Sequence, residues 1–366
     1  MKEDTLISAV RERRTAARLS QSDLADRAGI SRQAVSAIEA GRQIPSTTLA
    51  LRLARALGST VDDLFRLPGV PVVDAALASS AIDGRRVVLG RVDGDLVAHR
   101  VTDDGRAADG TLLADDDPRE RVPIELFADQ NEVDANVLVA GCAPLLGILA
   151  ERLGRRYRDV RATLIPANSS QALAHLGRGH VHLAGVHLAG ATEPTIHVEA
   201  AKRALPDQSA TLVHLACWKQ GLVVAKGNPL SIQGGSDLLR PDLRWVLREE
   251  GSGAQRLLER VLRQAGGSIS EPHSVAADHA AVGQRVRWGT ADVGVAIEAV
   301  ALAEDLDFIP LAEERFDLIV PAARLDSPAV RRFIDLIDAP AFRSEAASLR
   351  GYDLTLAGHA SSISAP

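Results

Sequence analysis

The spacing of apolar positions changes twice along the chain. From Leu6 to Leu64 they recur every three or four residues, in short segments separated by glycines and a proline. This spacing predicts five short helices. From 69 to 132 β-rich runs flank Asp93-Gly94 and Asp104-Gly105, which are typical hairpin turns and predict a small antiparallel meander. From 133 to 353 buried strands alternate with amphipathic helices, as in a helix-covered parallel sheet.

The pattern therefore predicts a multidomain chain. We expect an all-α head at 1–68, a small β connector at 69–132, a two-lobed α/β domain at 133–353 and a flexible tail at 354–366. In the α/β part, "NVLVAG", "VRATLIP" and "VHLAGVHLAG" predict one series of strands, and "DLRWVLREEGSGAQRLL" begins another. The extended run "LACWKQGLVVAKGNPLSI" joins the two series, while "LDFIPL" and "RFDLIVP" predict further strands.

The head carries two helix-start signals on either side of a glycine. Ser20 and Asp23 form an S-x-x-D capping pattern, and Ser31 can cap the next helix. Gly29 between them allows a tight turn. The sequence therefore predicts two short helices joined by that turn.

The second of these helices has an apolar and a polar face. If Val35 and Ile38 point inward, Arg32, Gln33 and Ser36 must point outward. A short helix with Arg and Gln near its exposed N-terminal end is typical of side chains that read bases in a major groove.

The stretch "LSQSDLADRAGISRQAVSAIEAGRQIPSTTLALRLARAL" closely resembles the helix-turn-helix of Cro/C1-type (XRE) repressors, and the match covers nearly all of residues 6–67. The resemblance implies base contacts by the outward side chains above and phosphate contacts by residues at helix starts and in the following loop. The full set of expected DNA contacts is Gln21, Ser31, Arg32, Gln33, Ser36, Arg42 and Ser46. Ala37 departs from the longer polar residue common in relatives. The alternative is a helical bundle used for protein pairing.

Charge agrees with a polyanion partner at this end of the chain. The net charge is -6, but residues 1–70 hold 11 Lys and Arg against 8 Asp and Glu, giving +3 there and -9 elsewhere. A single head of this kind reads few base pairs, so we expect a homodimer or higher homo-oligomer on an inverted repeat of double-stranded DNA.

The α/β part resembles type II periplasmic binding proteins. It is most similar to the substrate-binding-like domains fused to helix-turn-helix regulators, which are related to molybdate-binding proteins. The resemblance spans nearly all of 136–321 and rests on "GCAPLLGIL", "ANSSQALAHLGRGHVHLAGVH", "GLVVAKGNP", "REEGSGAQRLL", "GTADVGVAI" and "LDFIPLAEERFDLIV". Ala143 stands where such regulators have an acidic residue, and Ala254 where Thr is usual.

In that fold the ligand lies between the lobes, held by loop N–H groups and helix N-termini. Three loops of small and polar residues suit a small anion, either an oxyanion or a carboxylate. The expected ligand contacts are Cys142, Ala143, Asn168, Ser169, Ser170, His187, Arg248, Gly251, Ser252, Gly253 and Asp292.

Arg248 ends its predicted strand and has two interpretations. Its guanidinium can grip a carboxylate or oxyanion in bidentate fashion. It can instead form a salt bridge with Glu249, Glu250 or Asp292.

The histidines and one cysteine also leave alternatives open. His187 ends the third strand and is either a ligand contact or structural. His180 and His182, placed on that strand, invite a metal interpretation but have no third ligand at a suitable spacing. Cys142 is either a redox-sensitive thiol or a small loop residue. The acidic stretch 114–120 is most simply a solvated turn.

No catalytic residue, cofactor or metal is predicted. "EEGSGAQ" lacks the Lys and Ser/Thr of a Walker loop, and it is neither a G-x-S-x-G elbow nor a dinucleotide fingerprint. Cys142 and Cys217 do not suggest a disulfide framework. The N-terminus has no apolar signal core, and the longest apolar run, Val137 to Ala150, is too short to cross a bilayer, so we expect a cytoplasmic protein.

These observations favour a one-component transcription regulator that binds operator DNA and senses a small ligand. An enzyme or molybdenum-cofactor-related protein with a DNA-binding head stays open, as does a ligand-independent repressor that uses its large domain only to dimerise. Resemblance suggests molybdate or tungstate as the ligand, whereas Arg248 and His187 suggest a carboxylate metabolite.

Overall fold

The computed structural model describes residues 6–66, 71–78, 84–101, 106–113, 121–188, 194–268 and 274–365. The chain forms two compact units, Met1–Val72 and Val73–Pro366. The turn predicted at Asp104-Gly105 and the acidic stretch 114–120 lie outside the described residues.

The first unit is the expected helical bundle with a short strand pair. Buried apolar residues from its helices meet in one core, with Leu24, Val35, Ile38 and Leu53 at its centre. Its elements are β1 (Ile7–Ser8), α1 (Val10–Ala16), α2 (Gln21–Ala28), α3 (Arg32–Glu39), α4 (Thr47–Leu57), α5 (Val61–Leu64) and β2 (Phe65–Arg66), with β1 antiparallel to β2.

The turn between α2 and α3 follows the sequence signals. Ser20 and Asp23 form a complete capping box at the start of α2. Gly29 ends α2 with φ 67°, a left-handed conformation that favours glycine. Local chemistry therefore fixes the angle at which α3 leaves α2.

The second unit begins with a closed β-barrel rather than an open meander. The hairpin predicted at Asp93-Gly94 is confirmed, with Val92 paired to Asp95 across the turn. The barrel closes because the first strand pairs parallel to the third, a non-local contact that turn signals do not predict. Its strands are β3 (Val72–Leu77), β4 (Arg86–Val92), β5 (Asp95–Arg100), β6 (Gly110–Leu112) and β7 (Arg121–Leu126), in the order β3-β5-β4-β6-β7.

The barrel is continuous with the α/β part of the chain. Val88 and Val97 of the barrel share a core with Leu138 and Val186 of the following sheet. The tip of the hairpin is held as well, since the Arg324 guanidinium donates to the Asp93 carboxylate from Nε and Nη2 at 2.6–3.1 Å. The expected connector is therefore packed into the ligand-binding unit as part of its core.

A ten-stranded sheet organises the rest of the unit. Eight of its strands follow the order β13-β12-β14-β11-β15-β10-β8-β9, and the last two strands of the chain, β16 and β17, each pair with β11. The first lobe comprises α6 (Gln130–Asp134), β8 (Asn136–Gly141), α7 (Pro144–Arg156), β9 (Arg161–Pro166), α8 (Ser169–Gly177), β10 (Leu183–His187) and α9 (Thr195–Ala204). After β11 (Ala210–Val224), the second lobe comprises β12 (Trp245–Arg248), α10 (Gly253–Gln264), β13 (Ser274–Ala276), α11 (His279–Arg287), β14 (Val293–Ile297) and α12 (Glu298–Ala303). The chain ends with β15 (Asp307–Pro321), α13 (Pro328–Asp335), α14 (Pro340–Ser348), β16 (Tyr352–Asp353) and β17 (Ala360–Ile363).

Two long antiparallel strands cross from one lobe to the other. β11 is the expected crossing, and it pairs with β15 from Ala210↔Pro321 to Val224↔Asp307. The two strands predicted at "LDFIPL" and "RFDLIVP" are wrong as separate elements, because β15 runs through the charged residues between them. Such residues are tolerated here because the strand leaves one lobe and enters the other at this point.

The flexible tail predicted at 354–366 is also wrong. β17 pairs antiparallel with the start of β11, and the side chain of Ile363 is buried. The partner of this short strand is β11, which lies far away in the sequence, so local residues alone did not indicate the pairing. β10 likewise begins at Leu183, so His180 and His182 precede the strand on which they were placed.

Candidate ligand cleft and DNA-binding surface

The recognition helix presents the side chains that the sequence predicted. Arg32 and Gln33 are exposed in the first turn of α3, and Ser36 is half-buried one turn later. The Ser31 hydroxyl accepts a hydrogen bond from the Ala34 N–H at 3.1 Å, which leaves its proton free to donate outward. Val35 lies in the core, as expected.

The expected phosphate contacts lie at two helix starts and in the loop between them. Gln21 begins α2, and Ser46 caps α4 by accepting from the Leu49 N–H at 3.3 Å. Arg42 is exposed in the loop between α3 and α4. N–H groups at helix starts favour phosphate oxygens. The Gln21 amide also donates to Glu39 Oε2 at 2.9 Å, so its side chain is already oriented.

A partly buried ion pair, which the sequence did not reveal, holds this surface together. Arg14 Nε donates to Glu39 Oε1 at 2.6 Å, and Arg14 Nη1 donates to the Leu19 carbonyl at 2.6 Å. Burial raises the pKa of Glu39, but hydrogen bonds from Arg14 and Gln21 outweigh it and lower the pKa below its usual value. The carboxylate links α1, α2 and the end of α3, and it thereby fixes the recognition helix.

In the second unit, two of the predicted ligand loops touch across the cleft. Asn168 Nδ2 donates to the Glu250 carbonyl at 3.3 Å, and Ser170 Oγ donates to the Gly251 carbonyl at 3.3 Å. Arg256 Nη2 donates to Ser170 Oγ at 2.7 Å. The two lobes are therefore in direct contact, and these residues bridge them.

The same loops cap helices that point into the cleft. Asn168 forms a capping box with Gln171 at the start of α8, and Ser252 caps α10 by accepting from the Gln255 N–H at 3.2 Å. Gly251 has φ 84°, which a side chain would strain. A Cβ on Gly253 would lie 2.5 Å from His187 Cε1, so only glycine lets α10 approach so closely.

His187 lies at the centre of this contact. Its Nδ1 donates to Glu314 Oε2 at 2.8 Å, and both side chains are buried. Its ring centroid lies 5.4 Å from that of Trp218, 6.0 Å from that of His279 and 6.2 Å from that of Phe316. Ser169 Oγ donates to its carbonyl at 2.7 Å.

Charges around His187 keep its ring protonated. Burial lowers the pKa of His187, but the Cys142 thiol and the Glu314 carboxylate together outweigh burial and raise the pKa to about 10. His187 and Glu314 therefore form a buried ion pair at neutral pH. Cys142 precedes α7 at the neighbouring strand end, and Ala143 is the buried residue before that helix.

Arg248 combines features of both sequence interpretations. Its Nε and Nη2 donate to the two oxygens of Glu249 at 2.8 and 2.9 Å, and Nη2 also donates to the Ala277 carbonyl at 3.2 Å. The salt bridge with Glu249 is thus present. Nη1 is buried and has no hydrogen-bond partner within the described ranges.

Asp292 does not lie in the cleft, contrary to the prediction that it contacts the ligand. It accepts from the Arg244 backbone N–H at 2.8 Å and from Arg244 Nη2 at 2.6 Å. Both residues precede parallel strands, β14 and β12, whose carboxyl ends carry the cleft residues. Asp292 therefore lies at the opposite edge of the sheet from Arg248.

Sequence reasoning missed four further polar side chains at the cleft. In the part of the chain that the structure describes, each has a buried atom without a hydrogen-bond partner. These atoms are Trp218 Nε1, Gln220 Nε2 and Oε1, His279 Nδ1 and Nε2, and Glu314 Oε1. Gln220, two positions after Trp218 and therefore on the same face of the strand, was the one available signal.

The residues that the structure describes include neither a metal site nor a helix suited to span a membrane. Across the described ranges, no group of three His, Cys, Asp or Glu side chains is arranged to hold a metal ion. No described helix combines the length and apolar character needed to cross a bilayer. His182 makes two backbone contacts instead, with the Leu138 N–H at 2.9 Å and the Arg91 carbonyl at 3.0 Å.

Comparison with known proteins places both units in families. Residues 150–338 match the PBP superfamily domain, and residues 10–64 match a helix-turn-helix. The chain belongs to the PBP superfamily, and it is a helix-turn-helix regulator fused to a PBP-like ligand-binding domain.

Individual relatives match one part of the chain or the other. The uncharacterized protein YvgK of Bacillus subtilis (strain 168) is 28% identical over 226 residues, which is 61% of this chain and 72% of YvgK. An uncharacterized HTH-type transcriptional regulator of Methanothermobacter thermautotrophicus is 48% identical over 59 residues, 16% of this chain and 86% of that protein. A putative phosphate ABC transporter substrate-binding protein with bound phosphate from Clostridium perfringens aligns with a TM-score of 0.45 at 15% identity, covering 59% of this chain and 98% of that one.

Proposed function

We propose that the protein is a one-component transcription regulator of the cytoplasm, in which ligand binding between the lobes changes the affinity of the head for operator DNA. The ligand is a small anion, either an oxyanion such as molybdate or tungstate or a carboxylate metabolite. The protein acts as a binding protein rather than as an enzyme. Binding energy that differs between the open and closed lobes is what would drive the change.

One observation carries this proposal. Buried polar side chains from both lobes and from the crossing strands surround His187, and several of their atoms have no partner among the described residues. Burying an unpartnered polar group is costly, so such a concentration is typical of a binding site. Its position between the lobes links occupancy to lobe movement.

On DNA, we propose that two copies of the chain bind an inverted repeat through Arg32, Gln33 and Ser36. The full-length protein should select such a repeat from random duplex DNA. Arg32→Ala should weaken binding to the selected site and relax its sequence preference. A suitable control is Arg55→Ala, because Arg55 is exposed in the last turn of α4, outside the recognition helix. Equal loss in both variants would contradict base reading by α3.

The sensing role is tested by the response of this binding to small molecules. The dialysable fraction of a bacterial extract should change the affinity of the full-length protein for the selected operator. Arg248→Gln should remove the response and leave operator binding without extract unchanged. No response in the wild-type protein would indicate a ligand-independent repressor instead.

A thiol-dependent enzyme is the second candidate, and a specific contact favours it. His187 is oriented by Glu314 and interacts electrostatically with Cys142, and a histidine held near a thiol in this way can activate a nucleophilic cysteine. Cys142→Ala should then remove the fast phase of iodoacetamide labelling at neutral pH, because wild-type Cys142 should react faster than Cys217. Reaction of Cys142 no faster than that of Cys217 would dismiss this candidate.

A further inference from the structure

The unpartnered atoms of the cleft lie around one point. Glu314 pairs directly opposite Trp218 in the β11–β15 register, so the two side chains share a face of the sheet. Gln220 lies two residues after Trp218 on the same strand and faces the same way. The His187 ring contacts Trp218 and Glu314, and the His279 ring centroid lies 6.0 Å away.

Arg248 completes this group from the second lobe. It ends β12, beside the start of α10, whose Gly253 contacts His187. Its Nη2 donates to the carbonyl of Ala277 at 3.2 Å, two residues before His279, which places the guanidinium close to the start of α11. Nη1 carries two N–H donors and is its one nitrogen without a partner within the described ranges.

The unpartnered atoms include both donors and acceptors. Arg248 Nη1, Trp218 Nε1 and Gln220 Nε2 can only donate, whereas Glu314 Oε1 and Gln220 Oε1 can only accept. A ligand with acceptors alone would leave the Glu314 oxygen unsatisfied in a buried place, at a substantial cost. A ligand that fits must therefore offer acceptor oxygens on one side and a donor on the other.

Charge balance points the same way. Arg248 is paired with Glu249, and His187 is paired with Glu314, so each of these basic groups already has an acidic partner. A metal oxyanion would add two negative charges and no donor beside Glu314. A monocarboxylate adds one charge, and a zwitterion adds none, so both are less costly to bury here.

We propose that the cleft ligand is a small carboxylic acid with a hydroxyl or amino group next to its carboxylate. The carboxylate accepts from Arg248 Nη1 and Trp218 Nε1, and the hydroxyl or amino group donates to Glu314 Oε1. The inference rests on the proposed sensing function and narrows its ligand class by excluding molybdate and tungstate.

The test is thermal shift and calorimetry on the full-length protein with four sets of pure probes. These are the standard α-amino acids, a set of α-hydroxy acids (lactate, glycerate, malate and tartrate), the matching acids without the donor group (propionate and succinate), and inorganic oxyanions (molybdate, tungstate, sulfate and phosphate). At least one member of the first two sets should bind, and its analogue without the donor should bind about tenfold or more weakly. Which of the two sets contains the ligand decides between a hydroxyl and an amino group.

Variants give an independent check. Glu314→Gln should weaken binding of the acid about tenfold or more, and it should leave the weak binding of the analogue without the donor group unchanged. Lys219→Gln is the matched control, because Lys219 lies on the same strand and faces the other side of the sheet. If Glu314→Gln does not fold, the comparison of each acid with its analogue on the wild-type protein still decides the question.

Two outcomes overturn the inference and are distinguishable. Binding of an oxyanion with no binding of hydroxy or amino acids would refute the ligand class and leave the sensing function standing. Binding of no probe, together with no effect of extract on operator affinity, would refute both.

Discussion

Substitution of Gly253 by alanine tests whether the contact between α10 and His187 holds the lobes together. The added Cβ would lie 2.5 Å from His187 Cε1 and 2.6 Å from Nδ1, about 1 Å closer than carbon atoms normally approach. The ring cannot turn away easily, because Nδ1 is bonded to Glu314 and the Trp218 ring packs against it. To make room for the added methyl group, either the lobes must separate or the ion pair between His187 and Glu314 must break.

The size of the effect follows from the kind of contact. Overpacking in a buried site costs about 1–3 kcal/mol. Gly147→Ala is the matched control, because Gly147 lies inside α7 and a Cβ there meets no atom within 4 Å. Alanine at that position should stabilise by about 0.5–1 kcal/mol through helix propensity. The two variants should therefore differ in unfolding free energy by about 2–4 kcal/mol.

Urea denaturation followed by circular dichroism measures this difference. Tryptophan emission gives a second signal, since Trp218 contacts His187, and it is best read in a Trp288→Phe background because Trp288 is 70% exposed. Gly253→Ala should change the emission and Gly147→Ala should not. Equal stability of the two variants with unchanged emission would refute the closed contact described above.

Further predictions concern pH, the head and a helix cap. Burial lowers the pKa of His99 to about 3, so its contribution to stability is present above pH 6.5 and falls by about 2 kcal/mol between pH 7 and pH 5. His279 acts in the same direction, whereas the raised pKa of His187 contributes stability that is fully present below about pH 6.5 and is lost as the pH rises from there to about 10. Urea midpoints at pH 5 and pH 7 check the sign, and higher stability at pH 5 would contradict it. Glu39→Gln should destabilise the head by about 1–2 kcal/mol by breaking a partly buried ion pair, measured by thermal melting, and a loss under 0.5 kcal/mol would count against that pair. Ser252→Ala should cost about 1 kcal/mol by removing the α10 cap, measured by urea denaturation, and no loss would show that the cap is dispensable.

Features set by neighbouring residues could be predicted from the sequence. The Ser20–Asp23 cap, the Gly29 turn and the Ser31 cap each depend on residues within a few positions, and all three are confirmed. The strand ends at His187 and Arg248 were also predicted correctly, because a polar residue after an apolar run marks such an end.

Features set by strand register could not be predicted. His187 and Glu314 are 127 residues apart, and only the pairing of β11 with β15 brings Glu314 to the cleft face. In the sequence Glu314 belongs to a charged run that resembles a loop. Asp292 shows the opposite error. It belongs to the same lobe as Arg248, but the sequence does not reveal at which end of the strands each residue lies.

The core shared by the barrel and the first lobe determines which part of the unit can move. Val88 and Val97 pack with Leu138, and Arg324 clamps Asp93, so the barrel and that lobe form one rigid frame. The head is joined through the chain to this frame at the barrel. We therefore expect hinge motion to move the second lobe relative to this frame. Energy transfer between fluorophores on the barrel and on α10 should change when ligand binds. Energy transfer between fluorophores on the barrel and on α7 should not change.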